Sequence, residues 1–377
     1  MALTKFRGHS RARIDGWLLI ALLVLVGFGL VMISSASVVL SSERFGSNYV
    51  YASQQLMFAG LGLAALAITS VIDYRFWQKL APWLLIAIIG LLIAVFIPGL
   101  GDLKRGTQGW IVLGPLEFQA AEVVKLMAIL FFGAWLAARE DRLQSLATGF
   151  LPFVVTLGLI VLLIMAQPDA GTAVVLLGTI VTMYFVAGAP YFHLAFGGLL
   201  GGGLLALLIL SAPYRLQRFL VFLNPTEETL GAAYHINQAL LAVGAGGLLG
   251  LGFGQSKQKF LYLPEPHTDS IFAIAIEELG FVRAILILGL ILFVILRGYQ
   301  IARRVPDAYG RYVAVGITTL IAIQTFVNIG AMLGLMPITG VTLPFVSYGG
   351  SSLVVLLAAA GILLNISRQA QLESTHA

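Results

Sequence analysis

The stretch Gly16-Trp-Leu-Leu-Ile-Ala-Leu-Leu-Val-Leu-Val-Gly-Phe-Gly-Leu-Val-Met-Ile-Ser-Ser-Ala-Ser-Val38 carries no charged side chain from end to end. A helix of roughly 20 apolar residues is long enough to cross a hydrocarbon core of about 30 Å. Comparable stretches recur at about 53–72, 81–98, 122–138, 147–166, 171–188, 193–211, 271–296, 312–335 and 351–367. Their recurrence up to the C-terminus excludes a lone signal peptide or a single anchor. Of the 377 residues, 59% are hydrophobic and 10% charged, against about 25% charged in a typical soluble domain. We therefore expect an all-α polytopic membrane protein with about ten transmembrane helices. It is read as a single membrane domain over 1–377. Its outer loops fall at about 99–121 and 212–270, the larger lying between spans seven and eight.

Charge sets the expected orientation. Lys5, Arg7, Arg11, Arg13, Arg75, Lys79, Arg139, Arg142, Arg297, Arg303, Arg304, Arg311 and Arg368 fall on one side. Arg44, Lys104, Arg105, Arg215, Arg218, Lys257 and Lys259 fall on the other. Cytoplasmic loops are enriched in Lys and Arg, so both termini are expected in the cytoplasm. The net charge of +5 is then a topological signal and gives no reason to expect a nucleic-acid partner. With no cysteine in the chain, disulfides, thiol chemistry and zinc–thiolate sites are excluded.

Polar residues at a membrane boundary cost free energy unless they are solvated or functional. The run Tyr262-Leu-Pro-Glu-Pro-His-Thr-Asp269 stands out on that ground. Pro264 and Pro266 fix φ, so the segment is expected to reach the helix near Ile271 in an extended form. A carboxylate at Asp269 would then lie by the helix N-terminus, whose dipole favours the ionised form. Thr268, Asp269 and Ser270 are equally good helix caps, so capping and chemistry stand side by side. Glu265 and His267 are the neighbouring substrate-binding candidates.

Five further groups are singled out. Glu122 and Lys125, three apart at the head of span four, share a helix face; the pair either orients the helix or lines a polar wall that meets an anionic substrate. Gln167-Pro-Asp169-Ala-Gly-Thr172 reads first as a turn with Asp169 capping span six. Arg215 and Arg218 suit either a diphosphate or interfacial lipid phosphates. Leu343-Pro-Phe-Val-Ser347-Tyr-Gly-Gly-Ser351-Ser is read as a folded loop beside a cavity. Glu278 should face the bundle interior, with Arg283 a conceivable partner. The Gly-rich stretch 240–254 lacks the context of a phosphate-binding loop; its glycines are expected to allow φ > 0 turns and close backbone approach. Gly197, Gly198, Gly201 and Gly202 are expected to mark close helix packing. The scattered histidines offer no dense metal-ligand spacing, so any metal would be a hard, oxygen-bound ion such as Mg²⁺.

Together these motifs resemble the SEDS family, the shape, elongation, division and sporulation proteins of bacterial cell-wall synthesis. The likeness rests on Gly-Gln-Ser-Lys-Gln-Lys259, Leu-Pro-Glu-Pro-His-Thr-Asp269, Glu277-Glu-Leu-Gly280, Gln167-Pro-Asp-Ala-Gly-Thr172, Tyr234-His-Ile-Asn-Gln-Ala239 and Leu343 to Ser352. Its wording leans toward the FtsW branch rather than RodA. The resemblance implies a peptidoglycan glycosyltransferase of the bacterial cytoplasmic membrane that polymerises lipid II onto nascent glycan. It implies that Asp269 is the essential acid, that Glu122 and Lys125 line the same cavity, and that a class B penicillin-binding transpeptidase is the partner. A lipid-linked-sugar flippase and a noncatalytic scaffold are the alternatives. Clustering of the polar motifs at the outer loops favours the enzyme.

Overall fold

The computed structural model describes residues 14–104, 107–114, 116–210, 216, 221 and 231–374. In chain order its helices are α1 (Gly16–Ala36), α2 (Val38–Phe45), α3 (Val50–Val71), α4 (Arg75–Lys79), α5 (Ala81–Ala94), α6 (Ala120–Ala137), α7 (Leu151–Ala166), α8 (Ala170–Val186), α9 (Tyr191–Leu210), α10 (Ala232–Gly246), α11 (Ile271–Leu279), α12 (Phe281–Arg304), α13 (Ala308–Met332) and α14 (Gly350–Ser374). The ten apolar stretches are matched by α1, α3, α5 to α9 and α12 to α14. Seven segments among the described residues are long and apolar enough to cross a membrane, and α5 and α8 are shorter apolar helices. The chain is a multi-pass membrane protein.

Burial separates centre from periphery. The apolar windows of α13 and α14 are 83% buried and that of α6 is 78%, whereas those of α3 and α12 are 28% and 22%. Helices facing lipid keep apolar side chains on the outside because hydrocarbon is as good a surrounding as protein. Contact between α3 and α14 depends on small residues. Gly361 has room for hydrogen only, since a Cβ there would overlap Leu66 and Thr69. At that close approach the Thr69 hydroxyl donates to the Ala358 carbonyl at 2.8 Å.

Four expectations change. The loop at 99–121 contains an antiparallel meander of β1 (Gly101–Lys104), β2 (Thr107–Leu113) and β3 (Leu116–Gln119), with Trp110 opposite Gln119 and Ile111 opposite Phe118. Its aromatic and β-branched residues suit a pleated, half-covered surface, and Ile111 is buried with Val95 and Ala120. The eighth apolar stretch is not one helix from 271. It divides at Gly280, where φ is 84°, into buried α11 and spanning α12. Gly198, Gly201 and Gly202 have no described atom within 4 Å of a built Cβ, so close packing is not what those glycines show. Finally, the residues before Asp269 form a tight turn rather than an extended strand. Glu265 takes a φ of 47°, and its carbonyl accepts from the Thr268 and Ser270 N–H groups at 3.2 and 3.3 Å.

The Gly-rich stretch does behave as a close-contact element. Gly247, Gly250, Gly252 and Gly254 all have positive φ. Leu251 and Gly252 donate backbone hydrogen bonds to the Glu277 and Glu278 carbonyls, while Phe281 donates to that of Gly247. This clasp grips the α11–α12 junction, and a Cβ on either Gly250 or Gly280 would overlap backbone atoms of the opposite strand of the clasp.

Candidate functional site

One end of the bundle gathers the starts of α6, α8, α11 and α14, the end of α13, and the loops that join them. Asp269 lies there, 7% exposed, immediately before α11. It does not cap that helix. Ser270 holds the N-cap position, and its hydroxyl donates to the Pro264 carbonyl at 2.8 Å and meets His235 Nε2 at 2.6 Å. The Asp269 carboxylate instead accepts from the Thr268 hydroxyl at 3.1 Å, which also donates to Glu265 Oε2 at 2.9 Å. Two carboxylates thus share one hydroxyl on a short turn. His267 is fully buried, its ring 4.5 Å from that of Tyr51 and 5.1 Å from that of Tyr348. Its carbonyl accepts from the Tyr348 N–H at 2.9 Å, so this residue locks the acidic turn to the loop before α14.

Glu122 and Lys125 face each other in the first turns of α6, with Nζ 2.8 Å from Oε1 and both side chains buried. Lys125 also donates to Gln324 Oε1 at 3.1 Å. The second Glu122 oxygen is buried with no hydrogen-bond partner among the described residues. Asp169 caps α8 as the turn reading expects, accepting from the Thr172 N–H at 3.0 Å and its hydroxyl at 2.8 Å. Gln119 Nε2 reaches the same carboxylate at 3.2 Å, and the Gln119 N–H donates to the Ser351 hydroxyl at 3.0 Å. Burial pushes the Asp169 carboxyl up; the Thr172 hydrogen bonds oppose this, the Glu122 charge adds to it and the Lys125 charge opposes it. Asp169 therefore belongs to the same electrostatic neighbourhood as the Glu122–Lys125 pair. Gln167 is fully buried and donates to the Leu92 carbonyl at 3.1 Å. The Ser347 hydroxyl accepts from the Leu343 N–H at 2.8 Å and shapes the loop internally.

Glu278 lies on a different arm of the site. Its carboxylate accepts from Ser35 of α1 at 2.7 Å and pairs with Lys259 at 3.0 Å. Arg283 is not its partner: that guanidinium donates to the Leu249 and Leu279 carbonyls. Glu277 accepts from the Lys257 N–H at 3.0 Å and from the Ser256 hydroxyl. The Ser-Lys-Gln-Lys run is thereby stitched to α11. Arg215 and Arg218 lie outside the described residues.

Sequence reading passed over Gln324 and Asn328, amides four apart on α13 and at most 1% exposed. Gln324 Nε2 donates to the Thr342 carbonyl at 3.0 Å, and Asn328 Nδ2 to those of Asp269 at 2.8 Å and Val341 at 2.7 Å. The available signal was their spacing, because two buried amides at i and i+4 in an apolar span need partners on one face. Among the described residues, no three His, Asp or Glu side chains are grouped to hold a metal ion. The carboxylates of the described residues therefore do not form an all-protein Mg²⁺ cage.

A helical bundle that concentrates buried carboxylates, a lysine and bridging amides at one end defines an integral membrane protein with a buried polar site. The family model described as "Cell cycle protein", FTSW_RODA_SPOVE, matches residues 16–372. The chain is 46% identical to stage V sporulation protein E of Bacillus subtilis, covering 94% of this chain and 97% of that protein. It is 39% identical to a Geobacter sulfurreducens protein named "Probable peptidoglycan glycosyltransferase FtsW", covering 94% and 95%. Two solved structures are also similar, each 29% identical. One comes from work on structural coordination of polymerization and crosslinking by a peptidoglycan synthase complex, with a TM-score of 0.79 over 95% of this chain and 98% of that one. The other is the rod shape determining protein RodA of Thermus thermophilus, with a TM-score of 0.69 over 94% and 97%. The chain belongs to the FtsW/RodA/SpoVE family of SEDS glycosyltransferases.

Proposed function

We propose that this peptidoglycan glycosyltransferase polymerises lipid II into glycan strands at the outer face of the cytoplasmic membrane, with Asp269 as general base. The observation that carries the assignment is the placement of Asp269. It is a buried carboxylate at the mouth of the bundle, on a turn braced from three sides, and it is released from helix capping by Ser270. Orientation rests on charge. Arg75, Arg139, Arg142, Arg297, Arg303, Arg304 and Arg311 all fall at the end of the bundle opposite Asp269, which the enrichment of cytoplasmic loops in positive charge makes the inner end.

In this mechanism the 4-hydroxyl of the acceptor sugar attacks C1 of the sugar linked to the lipid diphosphate. The C1–O bond to the diphosphate breaks with its electron pair, and Asp269 takes the hydroxyl proton. A single displacement turns an α-linked donor into a β-linked glycan, so one carboxylate suffices and no glycosyl-enzyme bond is needed. Lys125, with Arg215 and Arg218, supplies positive charge for the departing diphosphate. A Mg²⁺ ion would ride on that diphosphate, with the protein contributing at most a ligand or two. Glu265 shares the Thr268 hydroxyl with Asp269, and in this reading its carboxylate contacts the sugar. His267 contributes by holding the turn.

A crosslinking partner follows from the likeness to the peptidoglycan synthase complex. We take it to be a single-span class B penicillin-binding transpeptidase. The test is lipid II polymerisation by the purified protein with that partner, read as glycan length on a gel. Wild type should make polymer and Asp269→Ala none. Polymer from Asp269→Asn at near-normal rate would remove the general-base role.

A further inference from the structure

Asp269 is held by a residue that lies far away in sequence. Asn328 sits in the last third of α13, 1% exposed, and both hydrogens of its amide are committed. One goes to the carbonyl of Asp269 at 2.8 Å and the other to the carbonyl of Val341 at 2.7 Å. Both neighbours are acceptors, so the amide can present only its nitrogen to them. The Asp269 carbonyl is not used by α11, whose first bonds are accepted by Ser270. Asn328 thus provides a tie on the backbone of the reactive residue itself. One turn earlier on the same helix, Gln324 accepts from Lys125 and donates to Thr342. Residues four apart on a helix are separated by about 6 Å along its axis. A single rigid face therefore holds the Asp269 backbone and the Lys125 ammonium at a fixed offset, with the 341–342 backbone clamped between them.

We propose that Asn328 is the positioning residue for Asp269, and that its face of α13 sets the spacing between the proton-accepting carboxylate and the Lys125 cation. The proposal rests on the reading of Asp269 as the base. Its chemical content is specific: Asn328 touches no substrate, and its removal misaims a carboxylate without changing its identity. Displacements of about 1 Å at a reacting group cost up to about a hundredfold in rate. A substrate-binding residue would act on KM, whereas a misplaced base lowers kcat with KM nearly unchanged.

The experiment compares wild type, Asn328→Ala, Asn328→Ser and Asp269→Asn, each as the full chain with its transpeptidase in lipid nanodiscs, using lipid II. Thr325→Ala is the control, because among the described residues the buried Thr325 hydroxyl bonds only to the Ile321 carbonyl within the same helix. Asn328→Ala should lower kcat by about tenfold to a hundredfold with KM within about twofold, and should shift the acid limb of the pH–rate profile. Asn328→Ser, which keeps one donor, should recover part of that kcat and keeps the series readable if the alanine variant folds poorly. Thr325→Ala should leave kcat and the pH profile unchanged. If both Asn328 variants only lower the melting temperature, while the folded protein retains wild-type kcat and pH profile, Asn328 is a packing residue and the inference falls alone. If Asp269→Asn keeps near-normal rate, the base assignment falls and takes this inference with it.

Discussion

Lys259 and Glu278 form a buried ion pair, Nζ to Oε1 at 3.0 Å, that fastens the loop ahead of the acidic turn to α11. Ser35 of α1 donates to the same carboxylate, and Lys259 also donates to the Gly254 carbonyl at 2.7 Å. The 254–259 loop and the sequence-distant α1 thus meet on one fully buried glutamate of α11. Removing one partner of such a pair leaves an uncompensated charge and costs about 3–5 kcal/mol. Lys259→Met should therefore lower the unfolding temperature in detergent markedly, and Lys259→Met with Glu278→Leu should regain most of it. Equal melting temperatures for wild type and the single variant would show that the pair carries no stability.

Glu122 and Lys125 allow structure to be separated from activity. Lys125→Met leaves the Glu122 carboxylate buried, its other oxygen already without a partner among the described residues, so stability should fall by about 3–5 kcal/mol. Adding Glu122→Leu should restore the fold without restoring polymerisation, since the cation is still missing. Activity that returns together with stability would assign the pair to helix orientation alone.

Gly280 is expected to tolerate no side chain. Its φ of 84° and the contact with Leu249 and Gly250 leave no room for a Cβ. Gly280→Ala should open the clasp between the Gly-rich stretch and α11, with loss of folded yield and faster proteolysis near residues 247–254. A variant that folds and resists protease like wild type would contradict the close contact.

The Asp169 carboxyl is raised, mainly by burial. A group whose folded pKa lies above its unfolded value of about 3.9 contributes stability that is complete below that value and declines as pH rises through the folded pKa. Wild-type melting temperature should accordingly carry a downward component from about pH 4 upward that Asp169→Asn lacks. The asparagine can still accept from Thr172 and cap α8. Parallel stability curves for the two proteins would refute the shift.

The ten apolar stretches could be read because each helix satisfies its own backbone and needs only length and apolarity to cross a bilayer. The Glu122–Lys125 contact and the Asp169 cap were equally legible, since i,i+3 reach and capping are set within a single turn. The meander at 101–119 was not, because short strands in a loop leave only a brief apolar alternation. The break at Gly280 was hidden by continuous apolar character on both sides of it.

What the sequence alone determined, then, is the span pattern, the charge asymmetry and the local pairs and caps such as Glu122–Lys125 and Asp169. These depend on composition and on neighbours within about one helical turn. Tertiary structure alone decided how those residues are used. It placed Asn328 against the Asp269 carbonyl, gave Glu278 to Lys259 rather than Arg283, and closed Tyr51 and Tyr348 around His267. Each of these is a contact between segments that local propensity cannot bring together. The physical reason is the cost of leaving a buried polar group without a partner, which selects one packing of the helices in which the long-range bonds are made.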